Sequence, residues 1–301
     1  MHDGQHVAVF GVPTSTGNLT EDAPRVQVVD VGAGALAADV PLAGLKAGQF
    51  EVGPGDRLEY PYRMYRPALA WDLARSRVYV VYPDEERVSV VDLAAGKVTA
   101  SELMRPRASW FHGLLAHLVP AVEAKSIPTT QRWAVLSPDG SRLYVSGSRE
   151  WATRVDANRY EWKGAQEGLR IIDTKDLAEI GRRDLNGNAF ALAPGGRRIL
   201  VHAFQVTADP ANDRQMANKH RVGILESDGL TDVANLEIED AFYLRGFSPD
   251  GHYAYVDRPG GPPPYSSLRV LDVEDGRVVG ARMVDGLVSN LLLNPSGGPE
   301  F

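Results

Sequence analysis

Two ten-residue segments share a pattern of apolar and turn-forming positions, and weaker copies of the pattern recur along the chain. The clear copies are Leu136–Val145 and Phe247–Val256, which both begin with an apolar residue followed by Ser-Pro-Asp-Gly. Partial copies lie at Leu192–Val201 and Trp71–Val80. Because proline fixes φ and Asp-Gly supplies a turn, each copy predicts two short strands joined by a tight hairpin. The β-branched and aromatic residues after the turn favour a strand.

A second apolar anchor follows each hairpin and ends in an acidic residue. Five triplets have this form: Val28-Val29-Asp30, Val90-Val91-Asp92, Ile171-Ile172-Asp173, Ile224-Leu225-Glu226 and Val270-Leu271-Asp272. A short turn and a weaker strand come next, so each unit contains four strands, which we name A to D in chain order. The repeated acids are predicted to bond the backbone of the C–D turns, which is a structural role.

Four short antiparallel strands in each repeat form the blade of a β-propeller. The Ser-Pro-Asp-Gly…Leu-Tyr-Val and Ile-Ile-Asp-Thr segments resemble the WD40-like and YVTN-type propeller repeats of bacteria, over nearly the whole chain. The sequence therefore predicts an all-β chain, 1–301, folded as a single propeller domain of about five blades. Their approximate ranges are 1–40 plus 288–298, 68–103, 133–185, 189–238 and 242–285. The resemblance implies the fold and leaves the activity open.

The two ends of the chain carry the same part of the repeat, at Asp3-Gly4 and at Pro295-Ser296-Gly297. One interpretation is that the segment 288–298 supplies strand A of the first blade and closes a five-bladed ring. The other is that the chain is a piece of a six- or seven-bladed propeller. The closed ring is favoured because an open ring exposes sheet edges, which natural proteins avoid. The fragment is favoured because the same turn occurs at both ends of the chain.

Variation in length is confined to the B–C and D–A connections, which lie at the same end of antiparallel blades. The long B–C connections are 12–25, 147–168, 204–220 and 257–267, and the long D–A connections are 41–67 and 103–132. Long loops on a rigid scaffold commonly carry function. We therefore predict that the functional surface is this end, which we call the loop face.

The 103–132 connection contains apolar residues at helical spacing, among them Trp110, with His112 close by. This spacing predicts a short amphipathic helix near 109–119. The helix either caps the propeller or docks another domain, a partner or a membrane surface.

The 148–168 connection alternates arginine with aromatic residues. The candidate binding residues are Arg149, Trp151, Arg154, Arg159, Tyr160 and Trp162, joined by Tyr265 in the proline-rich segment 258–266. Such side chains supply stacking and bidentate hydrogen bonds, which suit sugars, nucleotides or protein partners. The alternative is a β-hairpin extension with an exposed charged face and a buried aromatic seam.

Composition narrows the classes of function. The chain has 301 residues, 44% of them hydrophobic and 24% charged, which is typical of a globular protein. A net charge of −7 argues against sequence-independent binding of nucleic acid. The chain has no cysteine, which excludes thiolate nucleophiles and cysteine-based zinc sites, and no apolar run long enough to span a bilayer.

The sequence identifies no catalytic residues, no metal ligands and no cofactor. It favours a non-catalytic module that binds protein, peptide or glycan at the loop face. The resemblance implies two alternatives, a metal-dependent hydrolase of the lactonase-like propeller type and the propeller subunit of a quinoprotein-type dehydrogenase, although no site residue of either is matched. It also implies an exported or periplasmic bacterial protein whose signal segment is absent from this chain.

Overall fold

The computed structural model describes residues 6–12, 23–51, 62–104, 128–155, 160–185, 187–208, 216–238, 243–259 and 265–285. They form two compact units, Met1–Asp184 and Leu185–Phe301. The described residues contain β-strands and one 3₁₀ turn, with no α-helix. No helix capable of spanning a bilayer occurs in this part of the chain. The predicted helix near 109–119 and the predicted closing strand at 288–298 both lie outside the described residues.

The first unit contains three sheets. The first sheet consists of β1 (His6–Gly11), β2 (Arg25–Asp30) and β3 (Ala35–Pro41). A hairpin follows, made of β4 (Gly48–Glu51) and β5 (Tyr62–Arg66). The second sheet consists of β6 (Ala68–Asp72), β7 (Arg77–Val81), β8 (Arg87–Asp92) and β9 (Lys97–Leu103). The third contains β10 (Thr129–Leu136), β11 (Arg142–Arg154), β12 (Tyr160–Asp173) and β13 (Glu179–Arg183), with the β4–β5 hairpin added beside β10.

The second unit contains two four-stranded sheets. One consists of β14 (Gly187–Leu192), β15 (Arg198–Ala208), β16 (Met216–Glu226) and β17 (Asp232–Ile238). The other consists of β18 (Tyr243–Phe247), β19 (Tyr253–Pro259), β20 (Tyr265–Asp272) and β21 (Arg277–Asp285). We number the five sheets as blades 1 to 5 in chain order. The prediction of an all-β propeller fold built from four-stranded antiparallel blades is confirmed, and its single-domain organisation stays a prediction.

The central residues of strands B and C are mostly apolar, and in blade 2 the neighbouring blades cover both faces of these strands. In β7, Val78 and Val80 belong to a cluster with Val26 and Val40 of blade 1. Tyr79 and Val81 of the same strand belong to a second cluster, which contains residues of blade 3 such as Leu143. Successive residues of a strand point to opposite sides. One strand therefore supplies the core on both sides of its blade.

The Ser-Pro-Asp-Gly segments form the predicted A–B turns, and the side chains of each segment fix its shape. In blade 3 the Ser137 hydroxyl donates to Asp139 Oδ1 (2.6 Å), and the amide of Ser141 donates to the same oxygen (3.0 Å). In blade 5 the Ser248 hydroxyl donates to Asp250 Oδ1 at 2.5 Å. Hydrogen bonds within the repeated segment therefore stabilise the same turn in both blades.

The C–D turns confirm the predicted structural role of the repeated acids. Asp30, Asp92, Asp173 and Asp272 each accept a hydrogen bond from a backbone amide of the turn that follows, at 2.8–3.0 Å. The fourth residue after the acid has a positive φ in every blade: Gly34, Gly96, Leu177, Leu230 and Gly276. The two leucines are each 3% exposed, so burial of their side chains offsets a backbone conformation that normally favours glycine.

All five C–D strand pairs contain a β-bulge at the same place. The register shifts between the last two apolar residues before the acid, as at Val90/Val91 in blade 2 and Val270/Leu271 in blade 5. A bulge twists an edge strand and makes it a poor template for another strand. The outer strand of each blade is protected in this way.

The described parts of the 41–67 connection, 41–51 and 62–67, pack against blades 1 to 3 and contain two strands. Leu42 and Leu45 are buried against blade 2 in the cluster that contains Val78. Lys46 Nζ forms an ion pair with Asp84 of blade 2 (2.7 Å). The β4–β5 hairpin then adds to blade 3, because β5 pairs in parallel with β10. The connection therefore links all three blades of the first unit.

Gly276→Ala is expected to destabilise the second unit by about 3 kcal/mol or more. A Cβ on this residue would lie 2.0 Å from Cβ of Ala234, at a φ of +65°. The unfavourable φ costs about 1–2 kcal/mol, and overpacking adds about 1–3 kcal/mol. The matched control is Gly34→Ala, where φ is +61° and nothing lies within 4 Å, so only the first cost applies. Urea unfolding of the two variants measures the difference. Equal shifts of the unfolding midpoint for Gly276→Ala and Gly34→Ala would contradict the argument that Gly276 is closely packed.

Asp139→Asn is expected to weaken the dependence of stability on acid pH. Hydrogen bonds from Ser137 and Ser141 lower the pKa of Asp139 to about 2, from an ordinary value of 3.8. The stabilisation is therefore present above pH 3.8 and is lost as the pH falls towards 2. The effect is small because the carboxylate is exposed. The measurement is the thermal unfolding temperature of the unmodified protein and of Asp139→Asn as a function of pH. If both temperatures fall in parallel with pH, ionisation of Asp139 contributes nothing to stability.

Candidate functional site

Three of the predicted B–C connections are continuations of the strands that they join. In blade 3, β11 and β12 stay paired as far as Arg154 and Tyr160. In blade 4, β15 and β16 stay paired as far as Ala208 and Met216. Pairing of β19 with β20 reaches Pro259 and Ser266 in blade 5. The hairpin-extension alternative is thus confirmed for the backbone of residues 148–155 and 160–168, whereas its buried aromatic seam and the ligand-binding role of the segment stay predictions.

The structure places three of the candidate residues on β11. Arg149 and Trp151 are two positions apart and lie on one face of the ribbon, whereas Arg154 lies on the other. Both arginines are exposed, and Trp151 is half-buried. Alternation along one strand therefore separates the candidates between two faces.

The remaining candidates are placed by backbone alone or lie outside the described residues. Tyr160 and Trp162 lie on β12, where Trp162 pairs with Ala152, and Tyr265 pairs with Asp285. Three candidates, Trp110, His112 and Arg159, fall outside the described residues.

A group of charged side chains, which sequence reasoning missed, lies at the base of the β11–β12 hairpin and is largely buried except for Glu86, which is 44% exposed. Its members are Glu86 from the B–C turn of blade 2 and Arg132, Glu167, Arg170 and Glu179 from blade 3. It continues the apolar cluster between blades 2 and 3 towards the loop face. We call it the Arg–Glu network.

Arg132 is the centre of the network, and its side chain is only 1% exposed. Its Nε donates to the carbonyl oxygen of Tyr82 (3.3 Å), and Nη2 donates to Glu86 Oε1 (3.0 Å). Nη1 contacts the carboxylate of Glu167. One guanidinium thus joins the B–C turn of blade 2 to the hairpin of blade 3.

Arg170 supports the same carboxylates from β12. It contacts Glu86 through both terminal nitrogens, with Nη2 at 3.2 Å from Oε1. Its distances to the carboxylates of Glu167 and Glu179 are 3.7 Å in each case. Two guanidinium groups therefore face three carboxylates.

One glycine makes room for Arg132, and a second allows the backbones of β12 and β13 to approach closely. A Cβ on Gly147 would lie 2.9 Å from Cδ of Arg132, and one on Gly168 would lie 2.5 Å from the carbonyl oxygen of Arg183. Gly168 has a φ of +71° within the bulged stretch between β11 and β12. When the A–B turns are aligned, Gly147 corresponds to Tyr82 of blade 2, a buried aromatic residue. Blade 3 therefore lacks a side chain where blade 2 has a buried ring, and the Arg132 side chain lies against this glycine.

The carboxylates differ in their tendency to ionise. Burial opposes ionisation of Glu86, but the hydrogen bond and positive charge of Arg170, together with Arg132, outweigh it and lower the pKa of Glu86. Burial raises the pKa of Glu179, which Arg170 only partly offsets. The ion pairs of Glu86 with Arg132 and Arg170 connect blade 2 to blade 3. Among the described residues, no three His, Cys, Asp or Glu side chains could hold a metal ion together.

Comparison with solved structures finds similar folds at low identity. Hydrazine synthase of Kuenenia stuttgartiensis is 15% identical over 84% of this chain, with a TM-score of 0.47. A eukaryotic initiation factor is 11% identical over 93% (TM-score 0.47), and the Dos1 propeller is 13% identical over 85% (TM-score 0.44). The chain spans only 52–58% of the lengths of these proteins. No protein-family model and no curated protein matches the sequence. Likeness at this level leaves the function open.

Arg132→Met is expected to destabilise the first unit by about 3–5 kcal/mol, because it leaves the largely buried carboxylate of Glu167 without the guanidinium that it contacts. The control is Arg25→Met, which removes an exposed ion pair with Asp39. The side chain of Arg25 is 42% exposed and that of Asp39 is 30% exposed. Such a pair contributes about 0–1 kcal/mol. Urea unfolding of both variants measures the difference. A loss below 1 kcal/mol for Arg132→Met would show that the network contributes little to stability.

Proposed function

We propose that this chain is a non-catalytic β-propeller that binds a protein, peptide or glycan at the loop face. The observation that carries the proposal is the extension of three B–C connections as ribbons, with 13 residues in β11 and 14 in β12. A two-stranded ribbon is marginally stable in water by itself, so contact with another surface stabilises it. The rigid blades hold each ribbon at its base, which reduces the entropy that binding costs.

The chemistry of the β11 ribbon supports binding of another macromolecule. Arg149 and Arg154 are exposed, Trp151 is half-buried, and arginine and tryptophan are enriched among residues that dominate interface energy. The resemblance of the repeats to WD40-like and YVTN-type propellers agrees with a scaffold role, and it implies an exported bacterial protein. No observation on the described residues favours the hydrolase or dehydrogenase alternatives.

A photo-crosslinking residue tests the position of the binding surface. Benzoylphenylalanine in place of Trp151 is expected to form adducts in cells that produce this protein. The matched control is the same substitution at Ile180, which is 42% exposed near the C–D turn of the same blade. Mass spectrometry identifies what is captured. Adducts at both positions in equal yield, or none at 151, would overturn the assignment of the loop face.

Excess EDTA is expected to leave the thermal unfolding temperature unchanged. A ligand that binds the folded state raises stability, so removal of a structural or catalytic metal would lower this temperature. The measurement is a thermal melt with and without EDTA, followed by addition of single divalent ions. A marked drop that one ion restores would contradict the proposal and favour the metal-dependent hydrolase.

A further inference from the structure

Asp-Gly pairs in the turns of this chain have a chemistry of their own. The structure describes both residues of four such pairs: Asp139-Gly140, Asp228-Gly229, Asp250-Gly251 and Asp275-Gly276. In an Asp-Gly pair the backbone nitrogen of glycine can attack the carboxyl carbon of aspartate, because glycine has no side chain to obstruct the approach. The fold decides which pair reacts, since the nitrogen must be free to reach that carbon.

Three of the four pairs have a glycine amide that is held in a hydrogen bond. Gly140 donates to the carbonyl oxygen of Ser137 (2.8 Å), and Gly276 donates to that of Asp272 (2.9 Å). Gly251 makes the bond equivalent to that of Gly140, also at 2.8 Å. All three glycines have a φ between +65° and +75°. We call them the three bonded pairs, and their nitrogens cannot turn towards the preceding carboxyl unless the turn opens first.

In two of the bonded pairs the carboxylate is held as well. Asp139 accepts from the Ser137 hydroxyl (2.6 Å), and Asp250 accepts from the Ser248 hydroxyl (2.5 Å). These hydrogen bonds lower the pKa of Asp139 to about 2 and also lower the pKa of Asp250. Loss of a carboxyl oxygen as water requires protonation, which these hydrogen bonds oppose.

The fourth pair, Asp228-Gly229, is arranged differently. It lies in the C–D turn of blade 4, between β16 and β17, and both of its residues are exposed. The amide of Gly229 has no hydrogen-bond partner among the described residues, and its φ is not positive. A Cβ on Gly229 would have Cγ2 of Thr231 as its nearest neighbour, at 3.7 Å. This nitrogen therefore has room to move towards the carboxyl carbon.

We propose that Asp228-Gly229 is a site of spontaneous isomerisation to isoaspartate. The Gly229 nitrogen forms a bond to Cγ of Asp228, the bond from Cγ to its hydroxyl oxygen breaks, and this oxygen leaves as water with the proton of the nitrogen. The product is a cyclic succinimide. Water then adds to the α-carbonyl carbon of Asp228 and breaks its bond to the nitrogen. The chain now runs through Cγ, so the backbone gains a methylene group while the mass is unchanged.

The turn around this pair is closed by bonds that depend on its length. The amide of Glu226 donates to the carbonyl oxygen of Thr231 (2.9 Å), and that of Leu230 donates to the carbonyl oxygen of Glu226 (3.0 Å). Leu230 is 3% exposed and has a φ of +55°. A methylene group added between Glu226 and Leu230 changes the span that these bonds close. Isomerisation is therefore expected to destabilise the second unit.

Peptide mapping of the full chain after incubation at near-neutral pH and physiological temperature tests the site. Digestion at mildly acidic pH, followed by electron-transfer fragmentation, distinguishes isoaspartate from aspartate at each position. We expect isoaspartate at position 228 to exceed that at each bonded pair at least about tenfold, because the bonded pairs react only after local opening. Equal yields, a higher yield at a bonded pair, or none at 228 would overturn the inference.

Unfolding the chain in guanidinium chloride provides the control for intrinsic reactivity. The four pairs have the same two residues, so without the fold they are expected to react at similar rates. A persistent excess at position 228 in the unfolded chain would show that the fold does not select the site. Deamidation at Asn186-Gly187 is distinguished because it raises the mass of the peptide.

Gly229→Ala tests the role of the nitrogen without altering the fold. Because φ is not positive and the added Cβ makes an ordinary contact, the urea midpoint is expected to stay the same. The methyl group obstructs the attack, so isoaspartate at position 228 is expected to fall at least about fivefold. The matched control is Gly195→Ala, where nothing lies within 4 Å and the preceding residue is proline. An unchanged yield in Gly229→Ala would overturn the inference.

Urea unfolding after incubation measures the consequence for the turn. The midpoint of the unmodified protein is expected to fall in proportion to its isoaspartate content, whereas that of Gly229→Ala is expected to stay constant. Equal midpoints would overturn the destabilisation of the turn. The reaction needs no partner, so its outcome is independent of the crosslinking result at position 151.

Discussion

Burial of strands B and C on both faces is the constraint on which the rest of this structure depends. A strand such as β7 contributes Val78 and Val80 to one interblade cluster and Tyr79 and Val81 to the next. Because blade 2 contributes to the apolar clusters on both of its sides, its position is fixed by blades 1 and 3. The B–C and D–A connections can then differ widely in length without disturbing the core.

The C–D end of each blade is adapted to this stacking. The positive-φ position allows the turn to pack closely on the preceding blade, as Gly276 does on Ala234. The same place in blades 3 and 4 is filled by a buried leucine, which gains apolar contact at the cost of an unfavourable φ. The bulge that follows twists strand D away from regular pairing. Close stacking and protection of the outer edge are therefore achieved within a few residues.

The boundary between blades 2 and 3 departs from the apolar rule at its loop end. Arg132 occupies space that Gly147 leaves open, and its guanidinium pairs there with the carboxylates of Glu86 and Glu167. An apolar filling of similar volume is often equally or more stable, so the network is a costly way to join two blades. It fixes the base of the β11–β12 ribbon, which carries Arg149 and Trp151, to the B–C turn of the preceding blade.

The sequence by itself determined the features that depend on near neighbours in the chain. The Ser-Pro-Asp-Gly turns, the apolar triplets and their terminal acids predicted four-stranded blades, because hydrogen bonds such as Ser137–Asp139 act over two residues. Only the tertiary structure decided what depends on distant contacts. It turned the 41–67 connection into a link between three blades, because β5 pairs with β10. It also brought Glu86 to Arg132 and Arg170, since residues 46 and 84 positions apart meet only when blades stack.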